Sequence, residues 1–266
     1  MLRALLALLA VADAVQLRLH AKAGPDGQSF GDCPFAHAVR MVMEHKGVSY
    51  SLLNHGPEAK PAWLIENYGG SMPALEVGEV RNGCMPLGFD AEQVVTESGK
   101  IADYLEERYP SPSLRPPGFD KAEEARKSVF GSFARYCKHS VVMGDGEAEA
   151  VSEEAERKQA LLRALCELDA HLESCAGPYA AGSQLSLTDC FLVPVLFHLK
   201  VAGAHFKGLE VPSQFGALRA YMDTMHDSAI FRRTAPPSAM VRWGWANARG
   251  DVAEVERAAA EICALP

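Results

Sequence analysis

Three prolines and a glycine within eight residues, Ser111-Pro112-Ser113-Leu114-Arg115-Pro116-Pro117-Gly118, divide this chain into halves that obey different rules. Proline has no N–H to donate and fixes φ, so neither a helix interior nor a central strand can run through such a stretch. Before it, apolar residues alternate with period two in some segments and recur at helical spacing in others. After it, only the helical spacing remains. That punctuation predicts an α/β unit followed by an all-helical one.

In the first half, Gln16-Leu17-Arg18-Leu19-His20-Ala21 alternates polar and apolar as a half-buried strand does. A loop with Gly24, Pro25 and Gly27 leads to a helix from Pro34 to Lys46, whose apolar residues include Phe35, Ala38, Val39, Val42 and Met43. Gly47 ends it as a left-handed cap would. Val48 to Leu53 predicts a second strand, Pro61 to Asn67 a short helix, and Met72 to Val77 a third strand. Pro73 is badly placed for a central strand unless its peptide is cis, which would leave the Met72 backbone free for a ligand. After a loop from Gly78 to Gln93 come a short strand near Val94-Val95 and a helix from Gly99 to Tyr109. The domains predicted are residues 15–110, a linker at 111–119 and a helical domain at 120–266.

In the second half, Lys121 to Ser140 and Ser152 to Ser174 are amphipathic helices separated by a mobile acidic loop around Asp145 to Glu149. Leu187 to Lys207 is the most apolar helix and is expected at the centre, kinked early by Pro194. Ser186 and Asp189 form a capping-box pattern, which makes Asp189 structural. Pro212 to His226 is a further helix, and a less regular tail carries Trp243 and Trp245 as packing residues.

The chemistry concentrates at Phe30-Gly31-Asp32-Cys33-Pro34-Phe35-Ala36. A cysteine at a helix N-terminus faces unpaired N–H groups and the positive end of the helix dipole, which favour thiolate and predict a nucleophile near neutral pH. Pro34 suits the first helical turn. Ala36 stands where a redox pair would carry its second cysteine, so an oxidised Cys33 needs an external thiol, for which glutathione is the natural candidate. His37, one turn on, reads as a solvated helix residue.

The formal charge of −8, with no Lys/Arg cluster, argues against a nucleic-acid partner and for a small substrate. The seven scattered cysteines make neither a metal-ligand pattern nor a disulfide framework. Met1-Leu2-Arg3, an apolar run from Ala4 to Val11 and Ala12-Asp13-Ala14 form a candidate signal peptide over residues 1–14, too short to span a bilayer. The alternative is an extension of the first strand. Location follows that choice: cytoplasmic, or entry into the secretory pathway or a plastid.

Lys22-Ala23-Gly24, Gly31-Asp32-Cys33-Pro34-Phe35, Lys60-Pro61-Ala62-Trp63 and Met72-Pro73 resemble dehydroascorbate reductases of the glutathione transferase superfamily, and their relatives the chloride intracellular channel proteins. Phe197-His198-Leu199-Lys200-Val201, His205-Phe206-Lys207-Gly208, Val211-Pro212 and Gly244-Trp245-Ala246 resemble the helical domain of the plant-type reductases. The similarity covers about residues 16 to 247 and implies a thioredoxin-like N-terminal domain joined to an all-helical one. It departs at Ala36, usually serine in those reductases but matching omega-class transferases, at Met72 in place of valine, and in a longer loop with Cys84.

The resemblance implies glutathione-dependent reduction of dehydroascorbate by a monomer, with glutathione as co-substrate, no bound cofactor, no metal and no stable membrane span. It makes Cys33 the nucleophile. Lys60, Glu97 and Ser98 would hold the glutathione peptide, and Met72 before Pro73 would pair with its backbone. Lys22 and Asp32 would flank the dehydroascorbate pocket, with Lys22 favouring the thiolate and Asp32 opposing it. Glu97 and Ser98 also read as a simple helix cap. The rival functions are an omega-like thiol transferase and a channel-like protein inserting residues 33 to 53, although His37, Arg40, Glu44, His45 and Lys46 make that segment costly in a bilayer.

Overall fold

A computed structural model describes residues 14–80, 94–140 and 147–265. The candidate signal peptide up to Asp13, Cys84 with the loop from 81 to 93, and Asp145 and Gly146 of the acidic loop lie outside the described residues. Ala14 is already the first residue of a strand and pairs with Val80.

The N-terminal unit is a four-stranded sheet of β1 (Ala14–Lys22), β2 (Tyr50–His55), β3 (Ala74–Val80) and β4 (Val94–Thr96), in the order β2-β1-β3-β4. β1 and β2 are parallel and joined through α1 (Pro34–His45), whereas β3 is antiparallel to both β1 and β4. α2 (Ala62–Tyr68) and α3 (Ser98–Arg108) complete a thioredoxin-like domain. The period-two pattern of β1 puts Leu17, Leu19 and Ala21 on one buried face and Arg18 and His20 on the other. Each fully buried leucine contributes about 2 kcal/mol by leaving water.

The rest is helical: α4 (Phe119–Arg126), α5 (Val129–Lys138), α6 (Glu147–Ser174), α7 (Leu187–His198), α8 (Ala204–Lys207), α9 (Gly216–Asp227), α10 (Ala229–Thr234), α11 (Ser238–Arg249) and α12 (Val252–Cys263). Ser186 and Asp189 form the expected capping box at α7, and the Asp189 carboxylate also accepts from the Ala180 N–H and the Tyr221 hydroxyl, both at 2.8 Å. Leu187 to Lys207 is apolar and long enough to cross a membrane, yet most of it is buried inside the helical core.

Several expectations need correction. The segment from Lys121 to Ser140 is two helices, broken at Lys127-Ser128. Residues 147–149 belong to α6 rather than to a loop. α7 continues through Pro194, and the irregularity falls one turn later, in a π-helical turn at Leu199–Gly203. The tail is three regular helices, α10 to α12, of which α10 packs on α1 and α11 meets Asp32. One hydrophobic core joins both halves: Leu17, Leu19 and Val39 from the first are continuous with Phe133, Leu165, Leu196 and Trp245 from the second.

Candidate active site

Strand direction gathers the sequence-predicted residues at one end of the sheet. β1 and β2 finish there at Lys22 and His55, which are register partners, and β3 starts there at Ala74, opposite both His20 and Thr96. The α1 N-terminus, the Met72-Pro73 peptide and the α3 N-terminus therefore share that end. The Met72-Pro73 bond is cis and Pro73 is buried at the head of β3.

Cys33 is the N-cap of α1, with extended backbone, and its carbonyl accepts the first helical bond from His37 N–H at 3.0 Å. Its side chain is half-buried. Burial pushes the thiol above the ordinary cysteine value; the Ala36 and Phe35 N–H groups and Lys22 pull it down, and Asp32 pushes it up. That direction is opposite to the one expected from a helix N-terminus alone. Desolvation comes first among the causes, ahead of the Ala36 and Phe35 N–H groups, and the Cys33 side chain does not cap α1.

Lys22 and Asp32 form an ion pair at 2.6 Å beside the sulfur, with Asp32 mostly buried and Lys22 part-exposed. Their charges reach Cys33 with opposite sign. α11 supplies a wall that sequence reasoning missed. The Lys22 ammonium lies 4.8 Å from the Trp243 ring centre, and Gly244 meets the Asp32 side chain so closely that no β-carbon fits. Trp243 packs on the cluster of Ala239, Met240 and Ile262, as expected, and its ring also faces the site's cation, whereas Trp245 is buried against Phe133. The Trp245 indole N–H donates to His198 Nδ1 at 2.9 Å, which fixes the proton of the neutral ring on Nε2. Burial holds His198 down to about 4, with Asp32 raising it and Lys22 lowering it.

Lys60, at the entry to α2, donates to the Gly70 carbonyl at 2.9 Å, so its ammonium is held at the far end of that helix. Glu97 is the N-cap of α3 with φ of 70°, a conformation that costs a residue with a β-carbon about 1–2 kcal/mol. Its side chain does not cap the helix but pairs with exposed Lys100 at 2.8 Å. Ser98 is the first helical residue, so the first-turn N–H groups of α3 take no cap from Glu97.

His37 is buried and bonded to Thr234 Oγ1 at 3.1 Å, not solvated: the helical domain covers that face of α1. Cys137 and Cys190 are buried in the helical domain, where desolvation pushes the Cys137 thiol up to about 12 and Cys190 well above the usual value.

Residues 32–108 match the family described as glutathione S-transferase, N-terminal domain, and residues 149–224 its C-terminal counterpart. The chain is 30% identical over 217 residues to glutathione S-transferase DHAR2 of Arabidopsis thaliana, covering 81% of this chain and 89% of that protein. It is 28% identical over 242 residues to chloride intracellular channel protein 3 of Homo sapiens, covering 85% and 94%. Among solved structures, Chlamydomonas reinhardtii dehydroascorbate reductase superposes with a TM-score of 0.63 at 27% identity, over 87% of this chain and 97% of that one. Glutathione transferase Omega 3C of Trametes versicolor shares the fold, with a TM-score of 0.62 at 20% identity over 83% and 89%.

Proposed function

Because this chain belongs to the glutathione S-transferase family, we propose that it is a glutathione-dependent thiol oxidoreductase that reduces dehydroascorbate to ascorbate through Cys33. The observation that carries this reading is one sulfur at the α1 N-cap, flanked by the Lys22–Asp32 ion pair and with Ala36 in place of a resolving thiol. The likeness to a dehydroascorbate reductase structure over most of both chains supports the substrate.

In this reading Lys22 holds substrate oxygens and Asp32 takes the thiol proton, so the thiolate forms at attack instead of persisting at rest. The sulfur bonds to a hydroxyl oxygen of hydrated dehydroascorbate, the C–O bond breaks, and its electron pair stays on the ring as the enediolate of ascorbate. Cys33 is left as a sulfenic acid. One glutathione thiol displaces water to give the mixed disulfide, and a second attacks the glutathione sulfur, releasing glutathione disulfide and the free cysteine. Lys60, Glu97 and Ser98 hold the peptide, and Met72 before cis-Pro73 pairs with its backbone.

The test is turnover of purified protein with glutathione and dehydroascorbate. Cys33→Ser is expected to abolish turnover while glutathione still binds; unchanged turnover would end the proposal. Ala36 favours a second reading, an omega-like thiol transferase, in which a glutathionylated peptide is turned over faster than dehydroascorbate. The channel relatives suggest a membrane-inserting form, but this would have to extract α1, buried at Ala36 to Val39 and Met41 to Met43, from the shared core.

A further inference from the structure

On the sheet face covered by α2, three hydrogen-bond contacts run in line from a backbone carbonyl to a carboxylate. His55 Nδ1 lies 3.2 Å from the Ala59 carbonyl, His55 Nε2 2.9 Å from His20 Nδ1, and His20 Nε2 3.2 Å from Glu76 Oε2. The two rings lie nearly coplanar, edge to edge, 5.1 Å between centres and 9° apart, and Trp63 of α2 closes over His20 edge-on. His20 and Glu76 are buried. The charged and titratable groups facing His20 are Arg18 from its own strand, His55 from β2 and Glu76 from β3; Arg18 lies 3.8 Å from Glu76.

Hydrogens can be counted along this line. Its two ends, a carbonyl and an ionised carboxylate, only accept. Three contacts need three hydrogens, and two neutral imidazoles supply two. The count does not depend on which ring nitrogen faces which neighbour. With both histidines neutral, one contact must fail, and His55–Ala59 is the exposed end. One added proton, shared by His20 and Glu76, completes all three.

We infer that His55, His20 and Glu76 form a proton-operated latch on the segment from Gly56 to Pro61, and that closing it positions Lys60 for glutathione. Ala59 precedes Lys60 directly, and Lys60 itself reaches across to the Gly70 carbonyl, so the latch sets where this cation sits. These three are positioning residues, and their role in ligand binding rests on the glutathione reading above. Burial lowers His20 below the ordinary histidine value, opposed by Glu76, so proton uptake falls on the acid side of pH 6.5.

Two measurements test it. The first needs no variant and no ligand: amide exchange at residues 56–61, expressed as protection factors at pH 5.5 and 7.5, with histidine nitrogen NMR reporting the added proton on His20. Protection is expected to be about fivefold higher at pH 5.5, the weight of one net hydrogen bond. Equal protection at both pH values would overturn the latch. The second uses S-methylglutathione, whose sulfur cannot ionise, as the binding probe. Its affinity should weaken by about the same factor between pH 5.5 and 7.5, and Glu76→Gln should bind tightly at both, because the amide donates the missing hydrogen. A pH dependence unchanged in Glu76→Gln would overturn the assignment. Pronounced exchange protection with no binding of the probe at any pH would uphold the latch and remove the glutathione reading instead.

Discussion

The Asp32 side chain fills the space beside the Gly244 Cα, so that a β-carbon at position 244 would overlap Asp32 Oδ2, Cγ and Cβ together. Two residues 212 positions apart are thereby packed without clearance, and the partner of Asp32 is the Lys22 ammonium. Gly244→Ala must push the carboxylate away from Lys22 or push α11 off the N-terminal domain. Overpacking of this kind costs about 1–3 kcal/mol. The thermal midpoint should fall, and turnover with glutathione and dehydroascorbate should fall further than stability accounts for. Wild-type midpoint and turnover together would show that α11 yields freely.

Asp32→Asn isolates the charge from the packing. Burial is the chief reason the Cys33 thiol stands high; Asp32 adds to it and Lys22 opposes it. Removing the Asp32 charge leaves Lys22 unopposed beside the sulfur, so the pH midpoint of Cys33 alkylation by iodoacetamide should move down. Lys22→Met should move it up. In the proposed reaction Asp32→Asn nevertheless slows turnover, since the group that takes the thiol proton is gone. Midpoints that stay put in both variants would show that the pair does not act on the sulfur.

The local signals in the sequence carried the N-terminal domain well. Pro34 after Cys33, apolar residues at helical spacing and Gly47 with φ of 63° bracket α1 closely, and the awkward Pro73 correctly announced a cis peptide. What stayed illegible depended on distant partners. His37 looks solvated until Thr234 is folded against it, and nothing local to Trp243 tells that its ring, besides packing, lies under Lys22. The break at Lys127-Ser128 carries neither proline nor glycine, so nothing in the periodicity marks it. The thiol's upward shift is illegible for a similar reason: the dipole at a helix end is a local property, whereas burial is a property of the whole fold.

Lys46 explains how the proline-rich linker is held. Its side chain is fully buried, yet its ammonium pairs with Glu106 at 2.5 Å and donates to the carbonyls of Tyr109 at 2.7 Å and Pro112 at 3.0 Å. Glu106 in turn accepts from the Leu114 N–H at 3.1 Å. One cation from the end of α1 thus satisfies the chain where it leaves α3. Lys46→Met should cost about 3–5 kcal/mol in urea unfolding, the usual result of leaving one member of a buried pair uncompensated. Lys46→Met with Glu106→Leu should recover part of that loss. A single-variant cost below 1 kcal/mol would mean that water reaches the pair.

Buried histidines set the acid limit of stability, among them His37, His198 and His226. Burial holds both His198 and His226 down to about 4. His198 accepts from the Trp245 indole, and His226 lies 3.4 Å from the Val193 carbonyl, which opposes its burial. The unfolded chain protonates these rings near the ordinary value of about 6.5, whereas the folded protein refuses the protons until far lower pH. Stability is therefore untouched above pH 7 and drains away as pH falls from 6.5 toward 4, by a few kcal/mol in all. Urea midpoints between pH 7.5 and 5 should decline over that window before most carboxylates titrate. His198→Gln keeps an acceptor for the indole and removes the titration, so its decline should be shallower than that of the wild type. An equal decline in His198→Gln and His226→Gln would place the acid sensitivity elsewhere in the molecule.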